Sequence, residues 1–208
     1  MLQQDTLLFV SFFTNPIIIS LTSLLIVCLG KEFFNSYKIG LILAILFSIT
    51  SFIWPYNISL YLQPSQVFAL TAAFYFIAIG KKYNFTKNSL LAEFFLGSSI
   101  LIHPTSTILF PRFLLYALIN LKTRKFSIFL SAFIRIISIQ LTSNFIKFGS
   151  FSNFGYSKFQ TLEMHSSIIG LVGLILSPGW GIIFYFPLIL LLPIALYKSW
   201  KIKSHFAF

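Results

Sequence analysis

The feature that most constrains this chain is a succession of apolar runs, each close to the length that a helix needs to cross a bilayer. The first run, Leu7–Leu29, carries no charged residue. Six further runs approach or meet that length: Ile39–Trp54, Val67–Ile79 extended back to Pro64, Leu90–Ile102, Thr105–Leu121, Phe126–Phe145 and Ile168–Tyr197. Because a spanning helix needs about 20 mostly apolar residues, the pattern predicts an all-α, polytopic transmembrane helix bundle of about seven spans. We expect these spans to form a single transmembrane domain over residues 1–208.

The composition excludes a soluble domain. Only 9% of the residues are charged, whereas a soluble domain carries about 25%. The net charge of +11 is of the kind that nucleic-acid-binding proteins carry. Here, however, the basic residues form small clusters between apolar runs and not one continuous patch. We therefore predict membrane lipid as a partner and no nucleic acid.

The distribution of positive charge predicts the topology. Lysine and arginine occupy alternate connections and the C-terminal end: Lys31 and Lys38; Lys81, Lys82 and Lys87; Lys122, Arg124 and Lys125; Lys198, Lys201 and Lys203. The intervening connections hold either no charge or, after Phe145, only Lys147, Lys158 and Glu163. Since cytoplasmic loops are enriched in basic residues, we expect an integral protein of the plasma membrane with the N-terminus outside and the C-terminus cytoplasmic.

The N-terminal end leaves two interpretations open. Residues Met1–Thr6 contain no basic cluster and no signal-peptide pattern. A preceding span belonging to a longer protein explains this, and so does an ordinary membrane protein with a short external N-terminus. We favour the first interpretation and expect the chain to be incomplete.

The sequence offers no metal or cofactor site. Cys28 is the only cysteine, and one thiol cannot form a disulfide within the chain or a cluster of metal ligands. The chain also lacks a phosphate-binding glycine loop and a nucleophile elbow. We therefore predict neither a metal nor a cofactor, and the catalytic residues remain unknown.

Two arginines, Arg112 and Arg135, lie inside apolar runs at what the topology makes a similar depth. An arginine facing lipid at mid-membrane costs about 2.5–3.5 kcal/mol on insertion scales, so we expect both to face the interior of the bundle. They hold an anion or line a polar cavity. In the alternative, one of them pairs with Glu93, or both donate to helix carbonyls.

The last run is broken at Ser177–Gly181, in the sequence Ser-Pro-Gly-Trp-Gly. Irregular backbone at membrane depth must be buried in protein or line a wet cavity. The segment therefore acts as a structural hinge, or it places Trp180 beside a site. From Ile182, we expect a helix that reaches the cytoplasmic Lys198.

The predicted outer connections contain further candidate side chains. Residues 146–166 interleave aromatic residues with glycine and polar groups, and they include Lys147, Tyr156 and His165. Such a loop suits binding of a sugar or a lipid headgroup, or simple insertion of its rings into the membrane interface. His103, before Pro104 at a helix end, is either a ligand-binding residue or an interfacial structural one.

A set of local motifs resembles the phospholipid-carrier-dependent glycosyltransferase-like membrane proteins of the GT-C architecture. The motifs occur in the order of that family: Asn15-Pro16, Trp54-Pro55-Tyr56-Asn57, Pro104-Thr105, Phe148-Gly149 with Gly155-Tyr156, and Ser177–Gly181 followed by Tyr185 and Pro187. The resemblance implies transfer of a sugar from a polyprenyl-phosphate donor on the outer membrane face. It also implies a catalytic acid in a first external loop, which would precede Leu7 in this chain.

The expected site follows from that resemblance and from the topology. Lys147 and His103 are the candidates for the donor phosphate, and Tyr156, His165 and Trp180 for the sugar; Arg112 and Arg135 are further anion-binding candidates. The alternative is a non-enzymatic polytopic membrane protein, such as a transporter subunit or a lipid-binding scaffold.

Overall fold

The computed structural model describes residues 2–50, 53–56, 61–80, 82–83, 85–120, 123–153, 164–178 and 181–201. Every regular element in those ranges is helical, which confirms the predicted all-α class. The α-helices are α1 (Leu2–Phe34), α2 (Tyr37–Thr50), α3 (Ile53–Tyr56), α4 (Gln63–Gly80), α5 (Phe85–Ile102), α6 (Phe110–Asn120), α7 (Thr123–Phe148), α8 (Met164–Leu176), α9 (Ile182–Tyr185) and α10 (Leu192–Lys201). Two 3₁₀ helices, Pro104–Leu109 and Pro187–Leu191, precede α6 and α10.

The chain divides into two compact units. The first comprises Met1–Ser48 and Ile53–Gly155, and the second comprises Ile49–Phe52 and Tyr156–Phe208. The first unit therefore holds α3 to α7 together with α1 and nearly all of α2.

The centre of the first unit is the antiparallel pair α4 and α5, against which α1 and α7 pack. Small residues line the contact: Ala69, Ala72, Ala73 and Ala92 are all buried. Phe76 and Phe95 stack across the pair with 5.6 Å between ring centroids. Close approach through small side chains is the packing that helices use in lipid, where no hydrophobic effect draws them together.

The hairpin of α1 and α2 is closed by two glycines. A Cβ atom on Gly30 would lie 2.6 Å from the backbone nitrogen of Gly40, and one on Gly40 would lie 2.9 Å from Cα of Val27. These obstacles are backbone atoms, so neighbouring side chains cannot relieve them. Glycine is therefore required at both positions for α1 and α2 to approach this closely.

Many serine and threonine hydroxyls within the helices form hydrogen bonds to the backbone of their own helix. Among the described residues, hydroxyls that donate to the carbonyl four residues earlier include those of Thr14, Ser20, Thr22, Ser48, Thr71, Ser98, Ser138 and Thr142. These residues therefore need no water to complete their hydrogen bonds.

One helical segment in the described part of the chain, Phe12–Phe34, is long and apolar enough to cross a membrane. Only 17% of its window is buried within the protein, whereas the core helix of a soluble fold is mostly buried. Helix α2 is apolar but shorter, and α4 opens with two glutamines that lower its mean hydropathy. The coarse prediction of membrane association is supported by this segment, and the number of spans stays a prediction.

Two predicted helix boundaries are wrong. The second run, predicted to continue to Trp54 before Pro55, is shorter: α2 ends at Thr50, and Pro55 lies within the short helix α3. Proline is tolerated in a first helical turn, where its missing N–H has no partner to lose.

The last run is broken where predicted, since α8 ends at Leu176 and α9 begins at Ile182. The helix expected to run from Ile182 to Lys198 is interrupted again at Phe186, whose backbone is non-helical with φ −139° and ψ 66°. Pro187 explains this second break, because proline restricts the residue before it.

Candidate functional site

Polar side chains converge at one end of the first unit, where α4 begins and α5 ends. We call Gln63, Gln66, His103, Thr105 and Ser106 the His103 cluster. The side-chain nitrogen of Gln66 donates to the hydroxyl oxygens of Thr105 at 3.2 Å and Ser106 at 2.8 Å. Ser106, which is fully buried, donates in turn to the backbone carbonyl of Ser99 at 3.1 Å. This network joins α4 to α5 and to the 3₁₀ helix.

His103 organises the start of the 3₁₀ helix Pro104–Leu109. Its backbone is extended, as the residue before a proline usually is. Its Nδ1 atom accepts from the backbone N–H of Thr105 at 3.4 Å and lies 2.8 Å from the Thr105 hydroxyl. Because Nδ1 is an acceptor, the neutral ring carries its proton on Nε2. His103 is therefore both a helix cap and a donor-bearing ring at the polar end.

Gln63 contributes an unsatisfied acceptor. Its side-chain oxygen is buried and has no hydrogen-bond partner among the residues that the structure describes. A buried carbonyl oxygen without a donor costs about 1–3 kcal/mol. The position therefore favours a ligand or water molecule that brings a donor, such as a sugar hydroxyl.

Helix α1 is tied to the same unit through Asn15. The buried Asn15 amide donates to the carbonyl of Tyr56 at 3.1 Å and to that of Tyr61 at 3.5 Å. The rings of Tyr56 and Tyr61 meet edge to face, with 5.1 Å between centroids. Amphipathic tyrosines suit the boundary between membrane and water.

Charge is concentrated at the other end of α4. Lys82 follows that helix directly, and its ammonium lies 3.6 Å from the Glu32 carboxylate near the end of α1. The 18 residues of α4 extend about 27 Å at a rise of about 1.5 Å per residue. The His103 cluster and the lysines therefore stand at opposite ends of a helix that is close to a bilayer core in length.

Arg112 and Arg135 both have exposed side chains on the first unit, and whether they face lipid or a polar interior stays a prediction. Arg112 lies in the first turn of α6, because the 3₁₀ helix replaces the start of the predicted span. Arg135 turns back along its own helix, where its Nε donates to the carbonyl of Ser131 at 3.4 Å.

The buried ionisable residue of this region is instead Glu93. Its side chain is 4% exposed, and neither carboxylate oxygen has a hydrogen-bond partner among the described residues. The charge that acts on it belongs to Arg135, on the helix that packs against α5. This arrangement fits the alternative in which one of the two arginines, here Arg135, associates with Glu93.

The remaining candidates are distributed as follows. Lys147 is exposed in the last turn of α7, which ends as Gly149 adopts a positive φ of 68°. His165 lies in the first turn of α8, but its side chain is not described, and Tyr156 and Trp180 lie outside the described residues. These three belong to the second unit. The predicted grouping of Lys147 and Trp180 in one pocket therefore stays a prediction.

Sequence reasoning missed Gln66, Thr105 and Ser106. A signal for them was present, because Gln63 and Gln66 stand three residues apart and so share one face of a helix. Polar residues at the end of a predicted span need hydrogen-bond partners. The hydroxyls of the residues after His103-Pro104 were candidates for that role.

Replacing Gln66 with alanine should lower the free energy of unfolding by about 1–2 kcal/mol, because it removes the amide that joins α4 to the buried Ser106 hydroxyl. Thermal unfolding in detergent micelles, followed by circular dichroism, measures the loss. Thr71→Val is the control, since the Thr71 hydroxyl donates to its own helix. Equal melting temperatures for the two variants would show that the bridge contributes nothing.

No protein-family model, curated protein or solved structure matches this chain. Its function must therefore be argued from the chemistry of its own residues.

Proposed function

We propose that this chain is a polytopic membrane protein that binds a polyprenyl-phosphate sugar at the end carrying the His103 cluster and serves sugar transfer on the outer membrane face. The observation that carries the proposal is that uncharged polar groups and lysines lie at opposite ends of α4. Hydrogen-bonding groups without charge stand at its first turns, and lysines follow its last turn.

Embedding in a bilayer accounts for several independent features. Helices α4 and α5 each have 18 residues, about 27 Å, against a hydrocarbon thickness of about 30 Å. Large apolar side chains are exposed along the helices of the first unit, including Phe12, Ile42 and Phe94. A soluble monomer rarely exposes apolar surface on that scale.

The chemistry of the His103 cluster suits a phosphate-linked sugar. The imidazole N–H of His103 is a donor for a phosphate oxygen, and amide and hydroxyl groups such as those of Gln63 and Gln66 pair with sugar hydroxyls. Lys147 adds a point charge at the end of α7. The catalytic base remains unassigned, since Glu32 lies beside Lys82 and Glu93 is buried among the helices.

Binding of the donor is the direct test. The purified protein, reconstituted in nanodiscs, should bind a polyprenyl-phosphate mannose or arabinose, and His103→Ala should weaken that binding about tenfold, the loss of one charge-assisted hydrogen bond. Native mass spectrometry of the nanodiscs measures the bound fraction. Lys38→Gln, at the other end of the unit, is the matched control. Equal binding by His103→Ala and the unaltered protein would refute a phosphate site at His103.

The alternative, a non-enzymatic polytopic protein such as a transporter subunit or scaffold, has one observation in its favour. A carboxylate buried within a membrane helix, as Glu93 is, commonly marks an ion or proton pathway. Proton flux into proteoliposomes that Glu93→Gln abolishes, without any donor binding, would support this alternative over sugar transfer.

A further inference from the structure

The end of the first unit opposite the His103 cluster is a surface of lysines and tyrosines, all exposed except the half-buried Lys31. We call Lys31, Glu32, Tyr37, Lys38, Lys82 and Tyr83 the lysine–tyrosine face. These residues come from the end of α1, the start of α2 and the turn after α4. The ion pair between Lys82 and Glu32, 3.6 Å long, holds the turn after α4 against α1.

Two lysines on this face each lie over a tyrosine ring. The Lys31 ammonium lies 5.1 Å from the centroid of the Tyr37 ring, and the Lys82 ammonium lies 5.7 Å from that of Tyr83. Both tyrosines have 61% of their surface exposed. Each ring positions a cation and offers a phenolic O–H beside it.

The charge of the face is positive even after its internal pairing. Glu32 offsets Lys82, while Lys31 donates to the neutral side chain of Asn35 at 2.9 Å and Lys38 is exposed. An ammonium has three donors, so one bond to Asn35 leaves Lys31 able to bind an anion. Two lysine charges, those of Lys31 and Lys38, are therefore not offset by an acid within the face.

We propose that the lysine–tyrosine face is a binding site for the headgroup of an anionic phospholipid of the inner leaflet. The phosphate takes N–H donors from Lys31 and Lys38, and the exposed tyrosines lie at the level of the headgroups. The apolar residues that flank the face, among them Phe34 and Ile39, are exposed and contact the upper acyl chains. The inference rests on the membrane embedding in the proposed function and is independent of sugar transfer.

The choice of a lipid over a soluble phosphate follows from the exposed apolar surface beside the lysines. A free phosphate would be bound only through its attraction to the lysine charges. A phospholipid would be bound through the same attraction and would also cover the exposed apolar surface. Each lysine near an anionic surface contributes roughly fivefold to binding. The face should therefore distinguish phosphatidylglycerol from phosphatidylcholine, whose headgroup carries no net charge.

The experiment is lipid retention by the full chain purified in detergent, measured by native mass spectrometry. Phosphatidylglycerol and phosphatidylcholine with identical acyl chains are added in turn. We expect retention of phosphatidylglycerol only, a loss of about fivefold in Lys31→Gln and in Lys38→Gln, and a gain in Glu32→Gln, which removes the negative charge from the face. Lys147→Gln, on α7, should retain lipid as the unaltered chain does.

Several results would overturn the inference. They are equal retention of both lipids, no loss in either lysine variant, an equal loss in Lys147→Gln, or displacement of the lipid by millimolar glycerol 3-phosphate. A chain that stays soluble without detergent would overturn the membrane embedding as well. Failure of the proposed function is distinguished by donor binding, in which Lys31→Gln, Lys38→Gln and Glu32→Gln should match the unaltered protein and His103→Ala should not.

Discussion

Gly40→Ala should lower the free energy of unfolding by about 3 kcal/mol, at the upper end of the cost of overpacking. The added methyl group would lie 2.9 Å from Cα of Val27, and Val27 belongs to the helix that α2 must approach. Since the obstacle is backbone, the strain is relieved only if the α1–α2 hairpin opens. Thermal unfolding in detergent, followed by circular dichroism, measures the effect.

Two other glycines provide matched comparisons. At Gly97 the atoms nearest to the added methyl belong to the side chain of Ile136, which can shift, so Gly97→Ala should cost less than Gly40→Ala. At Gly173 nothing lies within 4 Å, so Gly173→Ala should be neutral or stabilising by up to about 1 kcal/mol. If Gly40→Ala melts at the temperature of Gly173→Ala, the close hairpin does not form.

Arg135→Gln should destabilise the protein by about 2 kcal/mol, and adding Glu93→Gln should restore most of that loss. Removing the cation leaves the buried Glu93 carboxylate without the charge that offsets its burial. The expected loss is below the 3–5 kcal/mol of a broken contact pair, because Arg135 is exposed. Glu93→Gln removes the buried negative charge, so the positive charge of Arg135 is no longer needed to offset it.

Four variants measured by the same unfolding experiment complete the comparison: Arg135→Gln, Glu93→Gln, the double variant, and Arg135→Lys, which keeps the charge. The double variant should melt above Arg135→Gln. If it melts at or below that temperature, the two residues do not compensate each other, and Arg135 stabilises α7 through Ser131 alone.

The helices were predictable because long apolar runs leave few alternatives. A run such as Leu7–Leu29 must satisfy every backbone group internally if it leaves water, and only a helix does so within one segment. The break after Leu176 was also predictable from Ser177-Pro178-Gly179. Gly181 completes it, since its N–H donates to the Ser177 carbonyl at 2.6 Å and leaves no space for a Cβ atom.

The polar contacts were less predictable, since they depend on which faces of separate helices meet. Nothing in the local sequence pairs Gln66 with Ser106, which is 40 residues away. The start of the helix that carries Arg112 was misplaced for a different reason. Its run was read as one α-helix, whereas Pro104 starts a 3₁₀ helix that His103 caps, and α6 begins only at Phe110.

The serine and threonine hydroxyls that bond to the preceding helical turn have a consequence for membrane insertion. A hydroxyl already donating to its own backbone, as those of Thr22, Ser48 and Thr71 do, has less need of an outside partner. The segments that carry them should therefore partition into lipid more readily than a sum of free side-chain transfer energies indicates. During membrane insertion, such a serine or threonine should behave more like alanine or valine than its free hydroxyl group indicates.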